Sequence, residues 1–305
     1  MNKTIISWTN KTWNPTHGCS KVSDGCKYCY AMTLSLRYGW TKQPWTIQNE
    51  KKNVIMKPHK LVEPYKLKEP QRVFVNSMSD LFHAQIPDWY RAVIFCVMLD
   101  NDQHVFQVLT KRPELTIEWQ ANFMKAIASK DFADFAANAH PRIQAACRRP
   151  WSSPWGANIW MGTSVEDHRV TGRIDQLRQC GASVRFVSAE PLIGSWGGPI
   201  TLEGIHWVIV GGESGTHMKP GNPRWIKQEW AIAIKDQCLS QGVAYFYKQD
   251  SGGRTELRPW LVENGQRWKW CQYPGDFTDP VNLDEPELEE DPHEKESQLP
   301  LFSDA

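Results

Sequence analysis

Short apolar runs that alternate with helix-like stretches are the feature of this sequence that most constrains its fold. Six runs are rich in β-branched and aromatic residues and end in small or polar ones, as buried strands do. They are residues 72–76, 104–110, 158–164, 184–188, 206–210 and 243–247. Helical patterns lie between them at residues 89–99, 114–127, 167–179 and 223–240. Strands that alternate with helices pair in parallel, so the sequence predicts an α/β fold with a full or partial TIM-like (β/α) barrel.

Polar residues follow five of the predicted strands. The segments read NSMSD, LTKRPE, GTSVED, SAEPL and GGESG. In barrel-like α/β folds the carboxyl ends of the strands form the active site, so these segments favour one site at a shared mouth. The alternative for any single segment is helix capping, which Asp80, Ser164 and Asp167 could provide.

The chain is predicted to be one α/β domain over residues 1–275 followed by an acidic tail over residues 276–305. Residues 128–155 interrupt the strand–helix rhythm and are interpreted as an insertion that forms a lid or a partner surface. The tail carries eleven acidic residues and one lysine, and we expect it to be disordered because it has little apolar surface to bury. Residues 1–275 therefore carry a net charge of +11, which is compatible with a nucleic-acid partner.

The sequence gives no indication of a membrane segment. No apolar run approaches the roughly 20 residues that a membrane-spanning helix needs. The first residues also lack the apolar stretch of a signal peptide. We therefore expect a cytoplasmic protein without a membrane partner.

Three of the eight cysteines, Cys19, Cys26 and Cys29, lie close together in a polar loop that contains glycine. Three thiolates can hold three corners of a [4Fe-4S] cluster and leave one iron open to a ligand. One alternative is a zinc site completed by His17, although zinc sites usually show two CxxC pairs and only one is present. A second alternative is three buried thiols without a metal. The scattered cysteines are predicted to be buried apolar residues: Cys96, Cys147, Cys180, Cys238 and Cys271.

The run WNPTHGCSKVSDGCKYCYA resembles the signature of a phage- and prophage-associated three-Cys-motif family of unknown function. That family is similar to radical S-adenosylmethionine (SAM) enzymes and, distantly, to spore photoproduct lyase. The resemblance spans about residues 5–250 and includes LTKRPE, GTSVED, SAEPL, GGESG and FYKQ in that order. The cysteine spacing, C-x6-C-x2-C, is longer than the usual CxxxCxxC, and Tyr28 stands at the usual aromatic position. The resemblance implies a barrel of the radical SAM type that holds a [4Fe-4S] cluster and S-adenosyl-L-methionine.

The resemblance also implies roles for individual residues. The cluster ligands would be Cys19, Cys26 and Cys29. The SAM-binding residues would be Tyr28, Ser79, Asp80, Lys111, Ser164 and Glu166. The residues that touch SAM or the substrate would be Arg112, Glu190, Gly212, Glu213 and Lys248.

Within these sets, Tyr28 would lie near the adenine, and Ser79 or Asp80 would bind the ammonium group of SAM. Lys111 or Arg112 would pair with its carboxylate. Ser164 and Glu166 would contact the ribose hydroxyls. The alternatives are an ion pair between Arg112 and Glu190 across the barrel, and a solvent-exposed Lys248.

The implied reaction starts when a one-electron reductant reduces the cluster. SAM is then cleaved to methionine and a 5′-deoxyadenosyl radical, which abstracts hydrogen from a C–H bond. The basic body and the similarity to a photoproduct lyase favour modification or repair of nucleic acid or a nucleotide. One alternative is a non-enzymatic zinc- or cluster-bearing module that binds nucleic acid by aromatic stacking. Another is a radical SAM enzyme for a peptide or small metabolite, which the lack of further paired cysteines disfavours.

The end of the tail contains a short motif, QLPLF. It resembles the peptide by which bacterial polymerases and repair proteins bind the replicative sliding clamp. Leu301 and Phe302 would be apolar anchors, next to Leu299, and the amide of Gln298 would bond to the rim of a pocket. The alternatives are that LPLF folds back on the body of the protein or that the match is accidental, because short motifs often occur by chance. The motif predicts that the protein binds a sliding clamp and acts on DNA.

Overall fold

Seven parallel strands form the centre of the computed structural model, which describes residues 1–215, 217–219, 221–253 and 258–284. The strands are β1 (Asn2–Lys3), β2 (Lys11–Trp13), β3 (Thr16–His17), β4 (Ile55–Met56), β5 (Arg72–Val75), β6 (Val105–Thr110), β7 (Ile159–Ser164), β8 (Arg185–Ala189), β9 (Trp207–Gly211), β10 (Ala244–Gln249), β11 (Leu261–Glu263), β12 (Gln266–Lys269) and β13 (Val281–Asn282). The main sheet has the order β1-β2-β5-β6-β7-β8-β9-β10, with β1 antiparallel and the other neighbours parallel. It curls into a half-barrel in a mixed α/β fold.

Helices connect the strands and cover the outer face of the sheet. They are α1 (Tyr30–Arg37), α2 (Glu50–Asn53), α3 (Asp88–Asp100), α4 (Glu114–Ile127), α5 (Lys130–Asn138), α6 (Pro141–Arg148), α7 (Arg173–Arg178) and α8 (Gln228–Ser240). Helix α3 is buried over most of its length, because it lies between the sheet and the helices α4, α5 and α6. None of the helices in the described part of the chain has the length and apolar character needed to cross a membrane.

The six predicted strands and the alternation with helices are confirmed, and the differences have local causes. The sequence interpretation missed β2, which pairs in parallel with β5, because Lys11–Trp13 is short and lies among polar residues. The helix predicted over residues 167–179 is a 3-10 turn followed by α7, with the weak helix formers Thr171 and Gly172 between them. Among the described residues, β1 and β10 are the two edges of the sheet, so the barrel is half a barrel and not a full one.

The inner face of the sheet is closed by aromatic residues toward the amino-terminal ends of the strands. We call this group the aromatic plug: Trp8, Phe74, Phe186, Trp207 and Phe246. The rings of Trp8 and Trp207 meet edge-on at 6.2 Å. Gly162 makes room for the plug, because a Cβ atom there would lie 2.4 Å from the ring of Phe186. With the amino-terminal half filled in this way, the carboxyl-terminal half of the inner face is left to polar side chains.

Residues 128–155, interpreted as an insertion, contain α5 and α6. Both helices pack against α3, and Phe132, Ile143 and Ala146 are buried in the outer core. This segment therefore belongs to the outer helical layer.

The carboxyl-terminal part of the described chain forms a separate three-stranded sheet, β11-β12-β13. Strand β13 pairs with β12 beyond the predicted domain end at residue 275, so that boundary falls inside this small sheet. The rest of the predicted tail, with Gln298, Leu299, Leu301 and Phe302, lies outside the described residues.

Candidate functional site

The cysteine loop joins β3 to α1 and is fixed at both ends. Gly18 forms a bridge to Ser79 after β5, and its backbone N–H donates to the carbonyl of Met78 at 3.0 Å. Gly18 has a φ of 86°, and a Cβ atom there would lie 1.9 Å from the carbonyl oxygen of Asn53. Only glycine fits this position, because other residues meet both a forbidden backbone conformation and a collision. The loop ends at Cys29, directly before α1 begins.

The three thiols of the loop are half-buried and close to each other and to cations. Burial and Asp80 raise the pKa of the Cys19 thiol to about 12, against the effect of Arg112, whose Nη1 lies 3.6 Å from Cys19 Sγ. Burial also raises the pKa of Cys29, and Cys26 adds to the shift of both neighbours. In the described part of the chain, no group of three or more His, Cys, Asp or Glu side chains is arranged to hold a metal ion. The raised pKa values of Cys19 and Cys29 favour the thiol over the thiolate in this arrangement.

Asp80 is the buried carboxylate that follows β5. Its oxygens accept hydrogen bonds from Thr110 Oγ1 at 2.7 Å, Arg112 Nη1 at 2.8 Å, and the backbone N–H groups of Phe82 at 3.0 Å and Lys111 at 3.2 Å. Burial alone would raise the pKa of this carboxyl, but Arg112 and the other donors outweigh it and hold the pKa below its usual value. Four internal donors already occupy the carboxylate that the resemblance assigns to the SAM ammonium group.

Arg112 connects Asp80 to the cysteine loop. Its Nη2 donates to the carbonyl of Ser20 at 3.1 Å and to Ser20 Oγ at 3.2 Å. Ser20 Oγ in turn lies 2.8 Å from Nε2 of the buried His83. Asp80 orients the Arg112 guanidinium, which in turn bonds to Ser20 and fixes the cysteine loop beside Cys19.

Glu166, after β7, holds the other side of the same loop. It is 1% exposed and pairs with Lys111 Nζ at 3.0 Å and Arg173 Nη1 at 3.0 Å. It also accepts a hydrogen bond from Ser23 Oγ at 3.1 Å. A Cβ atom at Gly25 would lie 2.4 Å from Glu166 Cγ, so the glycine lets the loop approach this closely. Burial would lower the pKa of Lys111, but Glu166 raises it above its usual value, which keeps the ammonium charged.

Two more ion pairs form the opposite rim. Glu190, after β8, pairs with Lys248 of β10. Glu213, after β9, accepts two hydrogen bonds of 2.6 Å from Arg224. The interpretation of Lys248 as solvent-exposed is wrong, because this side chain is buried and paired. The pairing of Arg112 with Glu190 is also wrong, since each takes a different partner.

Tyr28 connects the cysteine loop to that opposite rim. Its ring stacks on His217 with centroids 4.1 Å apart and planes 25° apart, and the Arg224 guanidinium lies 5.3 Å from the ring centroid. Gly212 lies between these groups and the end of β10. A Cβ atom at Gly212 would be 2.4 Å from the backbone nitrogen of Ser251. The residues on this side of the mouth, Tyr28, Gly212 and Glu213, are thus brought together as the sequence predicts for one site.

The remaining predicted residues, Ser79 and Ser164, lie at the same mouth and bond to neighbouring side chains. Ser79 Oγ shares a 2.7 Å hydrogen bond with Thr16 Oγ1, and the buried Ser164 accepts from Arg173 through its carbonyl at 2.9 Å. Sequence reasoning missed Arg173, which pairs with Glu166, and Arg224, which pairs with Glu213. Their only sequence signal is a basic residue soon after GTSVED and GGESG, which many surface positions share.

The fold and the site define a class: an α/β half-barrel protein with three cysteines on a loop and buried ion pairs at the carboxyl ends of its strands. The chain belongs to the DUF5131 family of proteins of unknown function, whose profile matches residues 3–273. No curated protein and no solved structure matches the chain.

Proposed function

We propose that this protein is a radical SAM enzyme that generates a 5′-deoxyadenosyl radical at a [4Fe-4S] cluster and acts on nucleic acid or a nucleotide. The observation that supports this most is the position of the cysteine loop. Three neighbouring thiols lie at the carboxyl ends of the parallel strands, where α/β folds of this kind bind ligands. Every other predicted site residue in the described chain lies around the same mouth.

The cysteines supply the ligand type and number that such a cluster needs, although the described side chains are not arranged around a metal in this structure. Cys19, Cys26 and Cys29 would hold three irons, and the absence of a fourth thiol in this loop would leave one iron for SAM. When bound, the cluster would pass one electron to SAM, breaking its sulfur–C5′ bond to give methionine and the radical. Cysteines bind iron as thiolates, and Arg112 beside Cys19 would favour the thiolate at that position.

The residues of the chain would bind and orient SAM. Tyr28 would contact the adenine with the exposed part of its ring, and Ser79 and Ser164 lie at the exits that would face the amino acid and ribose parts. Lys111 would pair with the SAM carboxylate, for which it would have to share the ion pair that it forms with Glu166. Arg112, held by Asp80, would support the cluster side of the site and not the ammonium group.

The zinc alternative has less support from the geometry. A Cys3His site would need a ring nitrogen of His17 among the thiols. His17 Nε2 lies 2.8 Å from Ser35 Oγ, and its Nδ1 lies 3.2 Å from Lys57 Nζ. Both nitrogens are therefore engaged away from the cysteines.

The test is anaerobic purification of the full chain with iron and zinc analysis and a visible spectrum. We expect a brown protein with about four irons per chain that forms 5′-deoxyadenosine when dithionite and SAM are added. Cys19→Ala, Cys26→Ala and Cys29→Ala should each abolish the colour and the product, whereas Cys271→Ala, outside the loop, should keep both. Stoichiometric zinc without iron would overturn the proposal.

A further inference from the structure

Two aromatic rings just beyond α1 are exposed and stacked on each other. Tyr38 and Trp40 are 58% and 48% exposed, yet their ring centroids are 5.1 Å apart and their planes differ by 29°. We call this pair the Tyr38–Trp40 shelf. Large aromatic side chains usually bury their surface within the protein, so a flat, open pair indicates a surface that stacks on something else.

The shelf is held in place by the end of α1. Gly39 has a φ of 65°, its N–H donates to the carbonyl of Leu36 at 3.2 Å, and the N–H of Trp40 donates to Ser35 at 2.9 Å. This bond pattern is a Schellman motif, in which glycine ends a helix by a left-handed turn. The ring of Trp40 also meets the buried His17 edge-on at 5.3 Å. The rings are therefore positioned by the backbone and not by chance contact.

Two cations lie against the rings of the shelf. The Arg37 guanidinium lies 5.9 Å from the ring centroid of Tyr38, and Lys57 Nζ lies 6.0 Å from that of Trp40. Residues 37–60 carry six Lys and Arg and a single acidic residue, Glu50. A partner that uses this surface must offer flat rings to the aromatic pair and negative charge to the cations.

We infer that the Tyr38–Trp40 shelf binds an unpaired segment of nucleic acid, with a base stacked on the rings and phosphates at the surrounding cations. Stacked aromatics within a basic surface are the features by which proteins hold single strands. A duplex already stacks its bases on each other and offers no free base face. An anionic membrane would instead be met by an apolar face that enters the bilayer, whereas here cations lie against the rings.

This inference rests on the proposed function, for which it names the substrate class. Helix α1 runs directly from Cys29 to the shelf, and its eight residues span about 12 Å. A strand held on the shelf would therefore have a neighbouring nucleotide within reach of the mouth. The binding itself needs neither a cluster nor SAM.

The test is fluorescence anisotropy of the full chain with a labelled oligothymidylate of about 16 nucleotides, the upper end of single-strand site sizes. We expect Tyr38→Ala/Trp40→Ala to weaken Kd about tenfold or more, and Tyr38→Phe/Trp40→Phe to stay close to wild type. The matched control is Met124→Ala/Lys125→Ala, an exposed apolar and basic pair on α4. Arg37→Ala should reduce the slope of log K against log salt by roughly 0.7, the contribution of one neutralised phosphate on a single strand.

The outcomes separate this inference from the proposed function. Cys19→Ala, which tests the cluster, should bind the oligonucleotide as wild type does. Equal affinity for the single strand in wild type and Tyr38→Ala/Trp40→Ala would overturn the inference. Equal affinity of wild type for the single strand and the matching duplex would also overturn it, as would binding to phosphatidylserine vesicles without binding to the oligonucleotide.

Discussion

The two ends of the half-barrel are built from opposite kinds of interaction. The aromatic plug fills the amino-terminal end with rings held mainly by apolar contact, together with one hydrogen bond from Trp207 Nε1 to the carbonyl of Gln272. The carboxyl-terminal mouth instead buries the charges of Asp80, Arg112, Glu166 and Lys111, each of which depends on its counterion. Buried ion pairs add little net stability compared with apolar packing, because the removal of charges from water offsets their attraction. The contrast indicates that the plug stabilises the fold, while the mouth holds buried charges that contribute much less to its stability.

The largest expected effect comes from opening the plug. Trp207 is completely buried among the plug rings. Trp207→Ala should lower the free energy of unfolding by about 4 kcal/mol, because it removes a large apolar surface and leaves a cavity. Urea denaturation measures this value, with the half-exposed Trp40→Ala as the control. Equal reductions for the two variants would contradict the role of the plug.

A somewhat smaller effect is expected from breaking an ion pair in the mouth. Arg112→Ala would leave the buried carboxylate of Asp80 without its cation and should cost about 3 kcal/mol of unfolding free energy. Asp80→Asn/Arg112→Ala should be destabilised by less than that, because no unpaired charge remains. If urea denaturation shows the double variant to be less stable than Arg112→Ala, the charge on Asp80 is not what makes the mouth sensitive.

The smallest expected effect is a pH dependence of the unfolding free energy that arises from the mouth and not from the plug. The pKa of Asp80 is held below its ordinary value of 3.8, so the unfolded chain takes up this proton first as pH falls. The stabilisation is therefore present above that value and disappears as pH falls through the lower pKa of the folded state. The difference in unfolding free energy between wild type and Asp80→Asn should shrink from about pH 7 to about pH 3. The corresponding difference between wild type and Trp207→Phe should not change with pH. An equal decline of the two differences would contradict the assignment of the pH dependence to the mouth.

Much of the fold could be predicted from the sequence, because strands buried on both faces are continuous apolar runs. Residues 206–210 are such a run, and β9 lies there. Strand β2 could not be predicted in this way, since Lys11 and Thr12 are only half-buried and Trp13 is its one buried residue. The position of residues 128–155 was equally hidden, because Phe132 and Ile143 pack against α3, which is distant in sequence.

The site was predictable where a local motif carries it. The spacing of the cysteines and the polar strand exits brought Lys111, Glu166 and Glu213 into one prediction, and the structure gathers them at one mouth. The partners could not be assigned, because pairing depends on side-chain geometry across the barrel. The sequence interpretation therefore assigned Asp80 to a ligand, whereas Arg112, Thr110 and two backbone groups occupy its oxygens.

The stack of Tyr28 on His217 also has a consequence for the order in which the molecule is completed during synthesis. The cysteine loop emerges from the ribosome early, but the residue that closes the rim above it is made almost 190 residues later. At about 5–20 residues per second, the interval is roughly 10 to 40 seconds. The nascent thiol loop is thus uncovered on the His217 side throughout this time.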